Sequence, residues 1–325
     1  GVMTYVGLFD VLDPKRDFGG LGVNEDGVPT GRDAEWGAGP VNLFRLATEY
    51  PERVLSVGLY IAETGRPGAL RRIGDGEFDP EIDHLGATLR DLGQPILLRI
   101  GYEFDGHWNP GYEDTTSYIN AFRRIASRIR SLGAANVATV WHASASPVDD
   151  IAERHHENLE DWYPGDDVVD WIGLSWFLEA DRIYNPRYPV TQLQLAEEVL
   201  ALARQHGKPA LIAEAAPQGF DLEDELQANI GPLLGGEAGR NLRPVAADEI
   251  WDRWFSPVLR FVEHNRDVIR GFSYINANWD EQGLWCSPYP NGYWGDSRIE
   301  THSSLIERWN TELAKPWWIL SARGH

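Results

Sequence analysis

The sequence is poor in several things, and each shortage removes a class of protein. It holds a single cysteine, Cys286, in 325 residues. One thiol cannot close an intrachain disulfide or build a cysteine-based zinc cluster. It is compatible with the cytoplasm or with export. Basic residues are scarce: 29 Lys and Arg stand against 50 Asp and Glu, a formal net charge of −21. So acidic a surface repels phosphate backbones, which argues against nucleic acid as a partner, while a neutral sugar is indifferent to it. No stretch approaches the roughly 20 apolar residues that span a bilayer, so no membrane partner is expected. No leader peptide is visible, because the opening Gly1-Val2-Met3-Thr4-Tyr5-Val6-Gly7 already reads as a strand. A phosphate-binding glycine loop is also lacking. Gly19-Gly20-Leu21-Gly22 is glycine-rich, but no helix pattern opens after it, and it reads as a plain loop.

What is abundant is aromatic: 14 Trp, 12 Tyr and 11 Phe. Trp is costly to hide because its N–H needs a partner. Flat rings with a polar edge suit the apolar face of a sugar. Most of these rings are expected in the core, and a minority in a cleft.

Hydrophobic residues make up 42% of the chain, enough for a sizeable core. Short apolar runs alternate with amphipathic helical patterns, the order of a parallel sheet covered by helices. The expected strands are Thr4–Phe9, Val54–Ile61, Ile96–Tyr102, Val137–Trp141, Val169–Leu174, Ala210–Ala213 and Gly271–Ile275. Ile82, Leu85, Leu89 and Leu92 have helical spacing, and Gly93 and Pro95 end that helix. Tyr118, Phe122, Ile125 and Ile129 form a second stripe, opened by Thr115 or Thr116 and closed by Gly133. Leu195, Val199, Leu202 and Ala203 form a third, closed by Gly207 and Pro209. Helix, then Gly, then strand is a C-cap signal used three times. Trp251, Trp254, Phe255, Val258, Leu259 and Val262 mark a later helix, and Leu305, Ile306, Trp309 and Leu313 the last.

The expected fold is therefore α/β, a (β/α)₈ TIM barrel formed by residues 1–325 as one catalytic domain. The doubly wound open sheet is the alternative. Seven strands are clear. The eighth is expected between Asp10 and Pro40, which would make Val54–Ile61 the third.

A parallel barrel carries its active site at the C-terminal ends of its strands. The ends of these apolar runs are rich in carboxylates, amides and Trp, the inventory of a sugar cleft. Arg99, Tyr102, Glu103, Trp108 and Asn109 close one run, and His142 ends another. Ser175 and Trp176 end a third, Glu214 and Gln218 a fourth, and Asn278 and Trp279 come after the last. Glycosidic hydrolysis needs a proton donor to the leaving oxygen and a second carboxylate for the oxocarbenium-like centre. Glu103 and Glu214 each end a buried strand, and a barrel mouth brings such ends together. Taken singly, Glu103 reads equally well as the ion-pair partner of Arg99, and Glu214 as a turn cap; the pairing favours chemistry. His142, Asp170 and Glu214 are a formal metal set, but no HExxH-like spacing supports it, and neither metal nor cofactor is expected. His155 and His156 read as surface residues.

At these residues the sequence resembles glycoside hydrolase family 26, of the clan of barrel enzymes with catalytic Glu after strands four and seven. The family's strand-four motif is Arg, two residues, His, Glu, two residues, Gly, then Trp; Arg99, Tyr102, Glu103, Gly106 and Trp108 occupy those places. Tyr163–Leu174 looks like the family's run into strand six, and Lys208–Glu214 like its strand seven. The resemblance spans roughly residues 50 to 310. It implies a retaining hydrolase with Glu103 as acid/base and Glu214 as nucleophile, an endo-β-glycanase of the mannan or β-1,3-xylan class. Sugar contacts would come from Arg99, Tyr102, Trp108, Asn109, His142, Trp176, Gln218, Asn278 and Trp279. Two positions depart from the pattern: Tyr102 replaces the usual His, and Ser175 stands where Asp is common. A carbohydrate-binding barrel without catalysis, or a metal-assisted hydrolase or isomerase, are the competing classes. Turnover and chelator sensitivity separate them. Such an enzyme would act as a monomer, secreted or periplasmic.

Overall fold

The computed structural model describes residues 1–14, 18, 34–35, 40–41, 43–112, 114–148, 158–187, 189–223, 225–233 and 235–320. Its centre is a curled sheet of seven strands: β1 (Val2–Gly7), β2 (Leu55–Tyr60), β3 (Ile96–Ile100), β4 (Val137–Ala143), β5 (Trp171–Trp176), β6 (Ala210–Ala215) and β7 (Ile269–Phe272). All neighbours are parallel, and the order follows the chain without reversal. A doubly wound sheet reverses at its midpoint, so the open alternative is excluded. The seven expected runs are these seven strands, with ends that differ by at most three residues.

The eighth strand corrects the sequence reading. β1 pairs directly with β2 along its whole length, from Val2↔Leu55 to Gly7↔Tyr60. No strand from the Asp10–Pro40 stretch separates them. Most of that stretch, including the Gly19–Gly22 run, lies outside the described residues, as do His155 and His156. Ala34–Glu35 and Pro40–Val41 form a two-residue ladder apart from the main sheet. The open edges are β1 and β7, so the place of an eighth strand is between those two. Glu103 follows the third described strand and Glu214 lies near the end of the sixth, keeping the three-strand interval of the family's fourth and seventh.

Helices cover the outer face where the sequence punctuates them. The helix Asp79–Leu92 ends on Gly93 at φ 70°, a left-handed cap that a Cβ would penalise. The helix Thr115–Ser131 is opened by Asp114, not by Thr115 or Thr116: its carboxylate accepts from the backbone N–H of Thr116 and Ser117. Tyr118, Phe122, Ile125 and Ile129 are its buried stripe, each worth about 1.5–3 kcal/mol of burial. The helix Gln192–Gln205 opens with a capping box between Thr191 and Gln194. Inside the barrel, Val140, Leu211 and Ala213 pack with Leu97 and Trp171 as a separate apolar layer. This layer floors the site. After β6, the segment 220–244 forms a small antiparallel sheet of Phe220–Asp221, Gln227–Asn229 and Leu242–Pro244. No helix of the described residues is long and apolar enough to cross a membrane.

Candidate active site

Above the apolar floor, the inward positions of successive strands turn polar. Tyr5 on β1, Gly58 on β2 and Arg99 on β3 lie in register, and His142 ends β4. Ser175 on β5 and Glu214 on β6 are also paired, but only because the register slips. Leu174 faces Ile212, whereas the next residue, Ser175, faces Glu214. This one-residue bulge has a direct consequence. Side chains alternate between faces, so without the slip Ala213 would oppose Ser175 and Glu214 would point outward. The bulge turns the carboxylate into the mouth.

Glu214 is 6% exposed. Its Oε1 accepts from Nη1 of Arg99 and, at 2.8 Å, from the hydroxyl of Tyr5. Arg99 is fully buried. Burial works against its charge, but Glu214 and Tyr5 more than compensate and keep the guanidinium protonated. Its carbon also lies 5.1 Å from the Tyr5 ring and 5.4 Å from the Tyr102 ring, within cation–π reach. The room for this comes from Gly58: a Cβ there would sit 2.6 Å from the Tyr5 ring and 3.0 Å from Nη2 of Arg99.

Glu103 lies just beyond β3 with φ 52°, a left-handed conformation that costs a non-glycine residue on the order of 1 kcal/mol. Its N–H donates to the carbonyl of His142 at 2.8 Å, which pins that turn to β4. The carboxyl accepts from Ser175 Oγ on Oε1 at 2.7 Å and from Trp108 Nε1 on Oε2 at 2.9 Å. Burial, and then the charge of Glu214, push its pKa up to about 8. Glu103 is thus a carboxylic acid that holds its proton at neutral pH. Arg99 pairs with Glu214 instead, so the simple Arg99–Glu103 ion pair is not formed.

The other expected contacts divide. Trp108 is 38% exposed beside Glu103, and partly exposed Tyr102 packs with Tyr5, Tyr60 and His142 around the mouth. Gln218 lines a small recess with Glu179, Arg182 and Asn229. Asn109 is buried, its amide nitrogen donating to the carbonyls of Tyr102 and Glu103, so it braces the acid's turn. Trp176 is a correction: because Ser175 points inward, Trp176 points outward, where it packs on Phe261 in the core. Trp279 is buried against Trp285 and Trp294 with its N–H donated to Ser297 Oγ, so its faces are spent on protein. Asn278 is buried and caps Asp280 N. His142 is wholly buried, with both ring nitrogens facing protein groups, and does not reach a cleft. The formal metal set is not gathered either: Asp170 sits at the opposite end of the sheet, bonded to Thr139 and Arg130. Among the described residues no cluster of three His, Cys, Asp or Glu is placed to hold a metal.

Tyr5 is a site residue that pattern reading passes over, and Ser175, noted at the end of its run and as a departure from the family pattern, is given no role by it. Each is a hydroxyl inside a largely apolar strand, and a buried hydroxyl needs a partner. That is the available signal.

Comparison with known proteins points to one family. The family model for glycosyl hydrolase family 26 matches residues 78–219, which contain both glutamates. A β-1,3-xylanase from a Vibrio species is 36% identical over 98% of this chain, and one from an Alcaligenes species 35% over 98%. The chain spans about 60% and 59% of those two relatives' length. A family 26 β-mannanase from Bacteroides ovatus superposes with a TM-score of 0.55 at 15% identity, covering 99% of this chain and 81% of that one. An endo-β-1,4-mannanase from Cellulomonas fimi gives 0.53 at 15% identity, covering 84% and 56%. In sequence the chain is similar to glycoside hydrolase family 26 over residues 78–219 and to β-1,3-xylanases over nearly its whole length, and in fold to family 26 barrels.

Proposed function

We propose that the chain is the catalytic unit of a retaining endo-β-glycanase that cleaves β-1,3-linked xylan by double displacement. The observation that carries this is the contrast between two buried carboxylates at one sheet edge. Glu103 holds its proton up to about pH 8, while Glu214 receives a cationic donor and a phenol. Paired carboxyls in opposite environments divide the acid and nucleophile roles. Both donors on Glu214 converge on Oε1, which leaves Oε2 as the attacking atom. Glu103 protonates the leaving oxygen as the C–O bond breaks and Glu214 bonds to the anomeric carbon. Glu103, now a carboxylate, then takes a proton from water as that water displaces Glu214. Exposed Trp108 offers a stacking face beside the acid.

The preference for xylan over mannan rests on the 36% and 35% identity to β-1,3-xylanases over nearly the whole chain. The mannanase structures support the fold alone. A polymeric substrate that cannot enter a cell favours a secreted or periplasmic enzyme, acting as a monomer without cofactor or metal.

The test is hydrolysis of β-1,3-xylan, β-1,4-mannan and mixed-linkage β-glucan by wild type, Glu103→Gln and Glu214→Gln. Cleavage of β-1,3-xylan, lost in both variants, is expected. Binding of the polymers without cleavage would replace this reading with that of a carbohydrate-binding barrel.

A further inference from the structure

His142 and Ser175 are 0% and 1% exposed, yet they are polar and lie directly behind the acid. Nδ1 of His142 is 3.5 Å from Nη1 of Arg99, and Nε2 is 3.0 Å from Oγ of Ser175. That oxygen is in turn 2.7 Å from Oε1 of Glu103. The direction of this chain of contacts is fixed by Arg99. A guanidinium has donors and no acceptor, so the nitrogen facing it must present its lone pair. The ring proton therefore sits on Nε2. Burial, and then the charge of Arg99, keep the imidazole neutral, so this is its only N–H. It donates to the Ser175 oxygen, which leaves the serine's single hydrogen for Glu103 Oε1. Both carboxyl oxygens thus meet a donated hydrogen, Oε1 from buried Ser175 and Oε2 from Trp108 Nε1. Only the Ser175 hydrogen has its direction set from behind by other buried groups.

We propose that Arg99, His142 and Ser175 form a one-way hydrogen-bond relay that fixes the Ser175 hydrogen on Oε1 of Glu103 and so holds the acid's carboxyl in one orientation, which makes His142 and Ser175 positioning residues for proton delivery. The inference rests on Glu103 being the acid/base. The charged and titratable groups acting on Glu103 are Glu214 on β6, Asp105 on its own loop and Tyr102 beside it, with His142 on β4 and Arg99 on β3 behind Ser175. The carboxylates of Glu214 and Asp105 raise its pKa, while the Ser175 and Trp108 donors lower it. Loss of the Ser175 donor therefore moves the acid's pKa further up and leaves the carboxyl free to turn away from the leaving oxygen.

The experiment measures kcat/KM against pH for wild type, Ser175→Ala, Ser175→Thr and Glu103→Gln. The substrates are β-1,3-xylotetraose and an aryl β-xylobioside with a 2,4-dinitrophenyl leaving group. For Ser175→Ala, the alkaline limb on xylotetraose moves up by about one pH unit and the plateau falls roughly tenfold. The aryl substrate, which leaves without protonation, is cleaved with a much smaller loss. Ser175→Thr returns the limb to its wild-type position. An unshifted limb with equal losses on both substrates overturns the relay and makes Ser175 a packing residue. If Glu103→Gln keeps wild-type turnover on xylotetraose, the acid assignment has failed instead, which separates the two ideas. Nitrogen NMR of His142 in the wild type needs no variant to fold: protonated Nε2 and unprotonated Nδ1 are expected, and the opposite tautomer overturns the relay.

Discussion

Replacing Glu103 by Gln should abolish catalysis and change how stability depends on pH. In the native state burial and Glu214 hold the Glu103 pKa near 8, against 4.5 for an ordinary glutamate. Because the folded value is raised, its stabilising side lies at low pH. Below 4.5 both states are protonated and the residue costs nothing electrostatically. Between 4.5 and 7 the unfolded chain loses its proton while the native chain keeps it, and stability drains away. At ~1.4 kcal/mol per pH unit this amounts to roughly 3 kcal/mol by pH 7. Glutamine has no such dependence. It also brings a local penalty, because its NH₂ must face either the Ser175 or the Trp108 donor; that cost is about 1–3 kcal/mol and the same at every pH. The quantity to measure is therefore a difference of differences. Urea unfolding of wild type and Glu103→Gln at pH 4, 5.5 and 7 should show the variant gaining roughly 3 kcal/mol relative to wild type between pH 4 and 7. Parallel stability curves would mean that Glu103 is ionised in the native state, and the acid assignment would lose its physical basis.

Activity on β-1,3-xylan should fall as pH rises through about 8, where Glu103 gives up its proton; a flat profile to pH 9.5 would contradict this. Arg99→Met removes the cation from buried Glu214 and should cost on the order of 3–5 kcal/mol in stability, measured by urea unfolding, with activity lost. A folded, active Arg99→Met would show that the pair is dispensable. Gly58→Ala pushes a methyl into the Tyr5 ring and Arg99 and should cost about 1–3 kcal/mol with a sharp drop in kcat. Unchanged kinetics would mean that the aromatic cradle is looser than its contacts suggest. Prolonged EDTA treatment should leave turnover unchanged; loss restored by added divalent metal would favour metal-assisted hydrolysis.

Much of the fold is legible in the sequence because strands buried on both faces are written as near-continuous apolar runs. Ile96–Ile100 and Ala210–Ala215 are examples, with Gly93 and Gly207 marking the helix ends before them. The two glutamates stand out for the same reason, as carboxylates placed where apolar runs end. What is not legible is register. Nothing in Ala210-Leu211-Ile212-Ala213-Glu214 announces the slip that turns Glu214 inward. The expectation that a strand separates β1 from β2 fails because their direct pairing is a long-range fact that no local pattern encodes. Trp176 and Trp279 are readable only in part. Strict alternation from Ser175 already sends Trp176 outward, whereas the burial of Trp279 depends on Trp285 and Trp294 folding back over it. Tyr5 looks like an ordinary strand aromatic until Glu214, 209 residues away, supplies its acceptor.

The most direct measurement is identification of the residue that bonds to the sugar. Wild type is incubated with a 2-deoxy-2-fluoro β-xylobioside carrying a dinitrophenyl leaving group, then digested and read by mass spectrometry. The expected adduct is on Glu214, with none formed in Glu214→Gln. A label on Glu103 or on any other residue, or steady turnover of β-1,3-xylan by Glu214→Gln, would contradict the assignment of nucleophile and acid.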